Sequence, residues 1–284
     1  MKRLIVTADD FGRCLPINEA VEDAHRNGIL TSASLMVGGD ALEDAVARAK
    51  ANPTLAVGLH ATLVDGKPVL PPEQIPDLVE ADGRFTSRVV AIGTRIYFDR
   101  KVQAQVRAEL RAQFEAYKAT DLTFDHVDSH HHYHLHPTVF AILLELAVEF
   151  GVPATRIPYE PPMASWRARG DRFGTRMMTG LFHWRATRKM RKAATKAGLK
   201  TNDRVFGFAD SGRMDAAHVA DFLDHLPDGV TELYCHPATR RWDDHPMPED
   251  YLVVEEYRAL IDPDVLARAR RPGIMLGGFA TRHP

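Results

Sequence analysis

The chain has 284 residues, 45% hydrophobic and 26% charged, and its 36 Lys and Arg nearly balance 38 Asp and Glu for a net charge of -2. This composition excludes a disordered or fibrous chain and supplies enough apolar material for a large core. No run approaches the roughly 18 apolar residues of a spanning helix, the start is cut short by Asp9 and Asp10 before it could form a signal peptide, and Cys14 and Cys235 lack C-x-x-C spacing, so the reading is a cytoplasmic protein without a disulfide framework.

Arg3 to Ala8 reads as a buried strand, and Pro16 then opens a helix with Ile17, Ala20, Val21 and Ala24 on one face, closed by Gly28. Ile29 to Val37 is a second strand. Asp40 with Glu43 resembles a capping box for a helix running to about Ala51. Leu55 to His60 is a third strand, and residues 61–99, with Pro68, Pro71, Pro72 and Pro76, read as one long loop. Val102, Val106, Leu110, Phe114 and Tyr117 share a helical face. Phe124 to His130 is a fourth strand, and Pro137 starts a helix that Gly151 stops. Further strands are expected at Ala154 to Tyr159, Val205 to Ala209, Thr231 to Cys235 and Gly273 to Leu276, with helices around 173–197, 215–226 and 249–270. Strand and helix alternate throughout, which predicts parallel βαβ units. Seven or eight such units without a break in composition predict one α/β domain spanning 1–284, a TIM-like (β/α) barrel.

The polar residues fall in a pattern. Asp9 and Asp10, His60, Asp128 and His130, Arg156, Asp210 and His236 each lie at or just beyond the C-terminal end of a predicted strand, where barrels of this kind build their active sites. The densest signal is His126-Val127-Asp128-Ser129-His130-His131-His132-Tyr133-His134-Leu135-His136. It holds six of the fourteen histidines, where chance would place about half of one. On a strand, Asp128, His130 and His132 would share a face. Imidazoles and a carboxylate are ligands for Zn²⁺ and similar ions, although surface histidines and core histidines with satisfied hydrogen bonds also occur. Two adjacent aspartates after a strand are more often a turn or a cap, but beside such a histidine cluster one can hold a metal while the other takes a proton from water. Cys235 and His236 point to opposite faces of their strand, which leaves Cys235 as a core residue.

Thr7-Ala8-Asp9-Asp10-Phe11-Gly12, Asn18-Glu19-Ala20, Gly28 to Met36, Gly58-Leu59-His60 and Asp128 to His134 occur in the order found in the YdjC-like carbohydrate deacetylases, and the chain resembles that family from residue 7 to about 160 and again at His236-Pro237. The resemblance implies a distorted barrel and removal of acetyl groups from N-acetylated sugars. It also implies one divalent cation, Zn, Mg, Mn or Co, held by Asp10, His60 and His130, with His132 and His134 offering the same chemistry close by. Asp9 would be the catalytic base, His236 a late catalytic histidine, and Arg156, His132 and His134 substrate contacts. His131 departs from the pattern, since many relatives have Gln there. Within the family the chain looks most like a hopanoid-biosynthesis branch, which implies a glycosylated lipid as substrate. The residue types alone would also suit a phosphodiesterase, another amidohydrolase, or a metal- or lipid-binding protein without catalysis.

Residues 163–200 carry eleven Lys and Arg against Asp171 alone, a charge of +10, which leaves -12 for the rest of the chain. Trp166, Phe173, Met177, Met178, Leu181, Phe182 and Trp184 are interleaved with them. This basic helical insertion has the composition of an interfacial helix on an anionic membrane, and equally of a solvated helix covering the barrel. Nucleic acid is not expected as a partner, because the remainder of the chain is acidic.

Overall fold

In the computed structural model, which describes residues 1–242 and 249–281, nine parallel strands are present: β1 (Lys2–Phe11), β2 (Ser32–Leu35), β3 (Ala56–Ala61), β4 (Val127–Ser129), β5 (Ala154–Thr155), β6 (Lys200–Thr201), β7 (Arg204–Phe206), β8 (Gly229–Cys235) and β9 (Ile274–Leu276). Their order is β6-β5-β4-β3-β2-β1-β8-β7, and β9 adds to the first half of β1. The two end strands, β6 and β7, are separated only by Asn202 and Asp203. One half pairs with β5 and the other with β8. The sheet therefore curls round on itself as a TIM-like barrel whose last stave is a broken strand. Asn202 braces the break, accepting from the Ile157 amide at 2.7 Å and donating to the Ile157 carbonyl at 3.1 Å.

Side-chain alternation along the strands separates two kinds of interior. Leu4, Val6 and Ala8 of β1 join the main apolar core between sheet and helices, whereas Ile5, on the other face, belongs to a small separate cluster with Ala154 and Phe279. The inward row continues as Thr7 and Asp9 in β1, Ser32 and Ser34 in β2, and Glu232 and Tyr234 in β8, all buried. The barrel is thus lined by polar groups that must find partners among themselves.

Several local expectations are corrected. The helix at Leu42–Ala51 has no side-chain cap, because Asp40 turns away to pair with Lys67. Residues 61–99 are not one long loop but contain the helix Val89–Phe98, hidden in sequence because Val90 and Phe98 are apolar yet exposed. The fourth strand ends at Ser129; His130–Leu135 then forms a tight turn of 3₁₀ helix with His131 and His132 left-handed, so the strand alternation that grouped Asp128, His130 and His132 does not hold. The basic segment forms two helices, Pro162–Arg169 and Phe173–Lys196, and it is there that Arg176 is buried. They cross closely, with the Pro162 ring lying where a Cβ on Gly180 would be.

Candidate active site and metal centre

The C-terminal ends of the strands surround a cavity of about 420 Å³ lined by Asp9, Asp10, Arg13, Asp65, His130, His132, Phe208, Tyr234, His236, Trp242 and Tyr251 among others. Asp10 sits there in a left-handed conformation, φ 65°, as do Asp65, His131 and His132 at φ 50°, 54° and 50°. Non-glycine residues tolerate that region at a cost of order 1–3 kcal/mol, and such strain gathers where side-chain aim matters more than backbone comfort. The turn after Asp10 is secured by Asn18, which accepts from the Gly12 amide at 2.8 Å and donates to the Ala41 carbonyl at 2.9 Å. Glu19 accepts from Thr239 and Arg240 at 2.7 and 2.6 Å, tying the segment after His236 to the same helix.

Asp10 Oδ1 lies 2.9 Å from His130 Nδ1 and 3.4 Å from His60 Nε2. Asp10, His60 and His130 are all buried, and each offers a donor atom within 4.8 Å of the others'. Asp10 Oδ1 is buried and faces both imidazole nitrogens at once, without a well-directed hydrogen bond to either. His60 Nδ1 donates to Asp128 Oδ1 at 2.8 Å, which leaves Nε2 facing Asp10 and fixes the tautomer a cation needs. A Cβ on Gly58 would meet the His126 ring, so glycine is required in that strand for the packing beneath His60. The donor set, two imidazoles and a carboxylate oxygen that faces them both, fits a divalent cation.

Below this layer lies Arg156, with no exposed surface. It makes a bidentate pair with Asp9 at 2.8 Å on both arms, contacts Asp128 Oδ2 at 2.6 Å, and donates to Glu232 from Nε and Nη2 at 2.9 and 2.6 Å. Arg156, which the resemblance implied as a substrate contact, is a guanidinium sealed inside the barrel and paired with three carboxylates. His134, implied as a second substrate contact, is fully buried between Ser129 Oγ and the Arg156 carbonyl. His132 does line the cavity, stacked on Phe208 at 5.0 Å and edge-on to Tyr234 at 4.9 Å. His236 lines it too; its amide donates to buried Glu256, and its ring stands 5.6 Å from Tyr234.

Charge dominates this interior. Burial works against ionisation of Asp10, yet His130, His60 and Arg13 hold its carboxyl well below the usual range. Burial likewise opposes charge on His60, but Asp128, Asp9 and Asp10 outweigh it and raise the imidazole to about 10. Four buried carboxyls, Asp9, Asp10, Asp128 and Glu232, thus face Arg156, Arg13 and the imidazoles of His60 and His130, while burial pushes the Glu232 carboxyl upward. His134 moves the other way, down to about 4, through burial and the nearby Arg156.

Arg13, Asp65, Glu232, Tyr234 and Glu256 were not singled out from the sequence. Arg13 contacts Asp10 Oδ2 at 3.2 Å and lies within 3.7 Å of Asp65. Its place three residues after Asp10, on the turn that follows the strand, was the one sequence signal available. Glu232 and Tyr234 could have been found from the inward alternation of β8, since a glutamate inside an apolar strand needs a partner.

A family model described as YdjC-like protein matches residues 3–271. A carbohydrate deacetylase from Geobacillus stearothermophilus is 32% identical over 96% of this chain and 94% of its own length. A carbohydrate deacetylase from Thermoanaerobacter pseudethanolicus is 28% identical over 99% of both chains. One from Brevibacillus brevis is 41% identical, but the match spans 55% of this chain and 60% of that protein. Among solved structures, an Enterococcus faecalis protein proposed to be a cellobiose-phosphate cleavage protein superposes with a TM-score of 0.73 at 25% identity, covering 98% of this chain and 97% of the other.

Proposed function

The chain belongs to the YdjC-like protein family, and from that premise we propose that it is a metal-dependent hydrolase that removes the N-acetyl group from an N-acetylated amino sugar. The observation that carries this reading is the convergence of Asp10, His60 and His130 on one point beside Asp9, at the floor of a cavity large enough for a sugar. The names of the full-length relatives supply the substrate class.

A divalent cation held by Asp10, His60 and His130 would supply Lewis acidity, polarising the amide carbonyl and acidifying water. Asp128 keeps His60 in the ligating tautomer through Nδ1. Asp9, aimed by its two bonds to Arg156, accepts the proton of the attacking water. His236, on the cavity wall, delivers a proton to the departing nitrogen as the C–N bond breaks, so that acetate and a free amino sugar leave. His132, packed between Phe208 and Tyr234, forms part of the cavity wall against which the sugar would lie.

The finer reading is a sugar carried on a lipid, met at the cytoplasmic face of a membrane; among the described residues no helix is long and apolar enough to cross one. Acetate release from N-acetylchitobiose and from an N-acetylglucosaminyl lipid tests both levels. The Asp9→Asn variant is expected to retain metal by elemental analysis and lose roughly 10²–10⁴-fold in kcat. Unchanged turnover would take the base role from Asp9, and metal-loaded wild type that released no acetate from either compound would end the deacetylase reading.

A further inference from the structure

The helix Phe173–Lys196 divides along its length. Its outer face begins with Met178, Leu181 and Phe182, exposed at 69%, 65% and 79%, followed by half-exposed Trp184. It continues as Arg185, Arg188, Lys189, Lys192 and Lys196, all exposed. Other bases of the segment are engaged internally: Arg169 with Asp221, Arg172 and Arg176 with Asp210, and Arg191 with the Asp203 carbonyl. Among the described residues the five outer bases have no ion-pair partner, and the helix itself contains no acid. Arg188 lies over the Trp184 ring at 5.8 Å, which joins the basic half to the apolar half.

The apolar half adjoins the catalytic cavity, since His183 meets Phe208 at 5.2 Å and Phe208 lines the cavity. A second apolar row borders the same cavity. Val89 and Ser87 line it, and the helix Val89–Phe98 exposes Val90 and Phe98 at 83% and 77%. Other large apolar residues, such as Leu15 and Val148, are also exposed, but Met178, Leu181, Phe182, Val90 and Phe98 are each at least 65% exposed and are gathered beside the cavity.

We propose that these two rows and the five bases form a docking surface for a bilayer containing anionic phospholipid, which seats the cavity mouth against the membrane. The occupant follows from charge complementarity. A protein partner needs no such separation, whereas a bilayer offers hydrocarbon to Leu181 and Phe182 and phosphate to the bases about one to four turns further along. The surface stands independently of the deacetylase reading, because it is built from exposed side chains outside the catalytic groups.

Co-sedimentation of the full chain with vesicles of phosphatidylcholine alone and of phosphatidylcholine with 30 mol% phosphatidylglycerol (about a third anionic lipid, enough to set up a surface potential) is the test. Binding is expected only to the anionic vesicles and should weaken as salt screens the surface. Arg188→Ser with Lys189→Ser should lower partitioning by roughly 25-fold, about five-fold per base. Leu181→Asp with Phe182→Asp should abolish it. Both pairs are exposed, so circular dichroism should be unchanged, and acetate release from a soluble substrate should stay at the wild-type level. Failure of the surface is thereby distinguished from failure of the hydrolase. Equal binding to neutral vesicles, no binding to either, or undiminished binding of the variants would overturn the proposal. A dimer in sedimentation velocity that Leu181→Asp with Phe182→Asp dissociates would overturn it too, assigning the face to a second copy of the chain.

Discussion

Arg156 and Arg176 are buried to 0% and 2% exposure, and each is surrounded by carboxylates. Arg156 holds Asp9, Asp128 and Glu232 inside the barrel. Arg176, on the basic helix, holds Asp210, Glu160 and Asp171. In residue type and burial the two networks are alike. They differ in where their carboxylates lead: Asp9 reaches the cavity wall and Asp128 orders His60, whereas Asp210 and Glu160 fasten one helix to the barrel and line no part of the cavity. A charged residue at the C-terminal end of a strand is therefore a functional candidate only when its partners open onto the site.

The sharpest break in the comparison comes from the proposed metal ligands. Asp10→Ala or His60→Ala should remove bound cation, read by elemental analysis, and lower kcat/KM by at least about 10³-fold, since the Lewis acid goes with them. Retained cation in both variants would move the centre elsewhere in the cavity. The arginines come next. Arg156→Met and Arg176→Met each strand buried carboxylates and should each cost about 3–5 kcal/mol in denaturant unfolding. Only Arg156→Met should also depress turnover of a soluble substrate in the protein that remains folded. Equal activity losses would erase the distinction between the networks. The smallest effect is expected for Asp128→Asn, which keeps shape but weakens the grip on His60 Nδ1; metal affinity or activity should fall roughly 10–100-fold, measured by competition with a chelator.

Much of the site was legible because its residues come from types and spacings with few other uses. A six-histidine run beside an aspartate, following a strand, announces ligands. Asp10, His60 and His130, placed at or just beyond strand ends and implied as a set by the family resemblance, do lie together in the fold. What the periodicity rules could not foresee was the local backbone after Ser129. Left-handed His131 and His132 reaim the run, sending His132 to the wall while His134 folds back into the interior. Nor could a local window reveal the surroundings of Arg156, because an arginine between Thr155 and Ile157 at the end of a strand reads equally well as a rim contact or a buried brace.

The sequence by itself determined the alternation of strand and helix and the parallel barrel, and it pointed to the Asp and His residues that the fold brings together, since these rest on local pattern and on side-chain type. Tertiary structure alone decided which carboxylate faces the cation position and which is pinned beneath it, how one broken strand completes the barrel, and which bases of 163–200 stay free at the surface. Those outcomes depend on pairings across more than a hundred residues, where the burial of each charge is settled by partners that no local window contains.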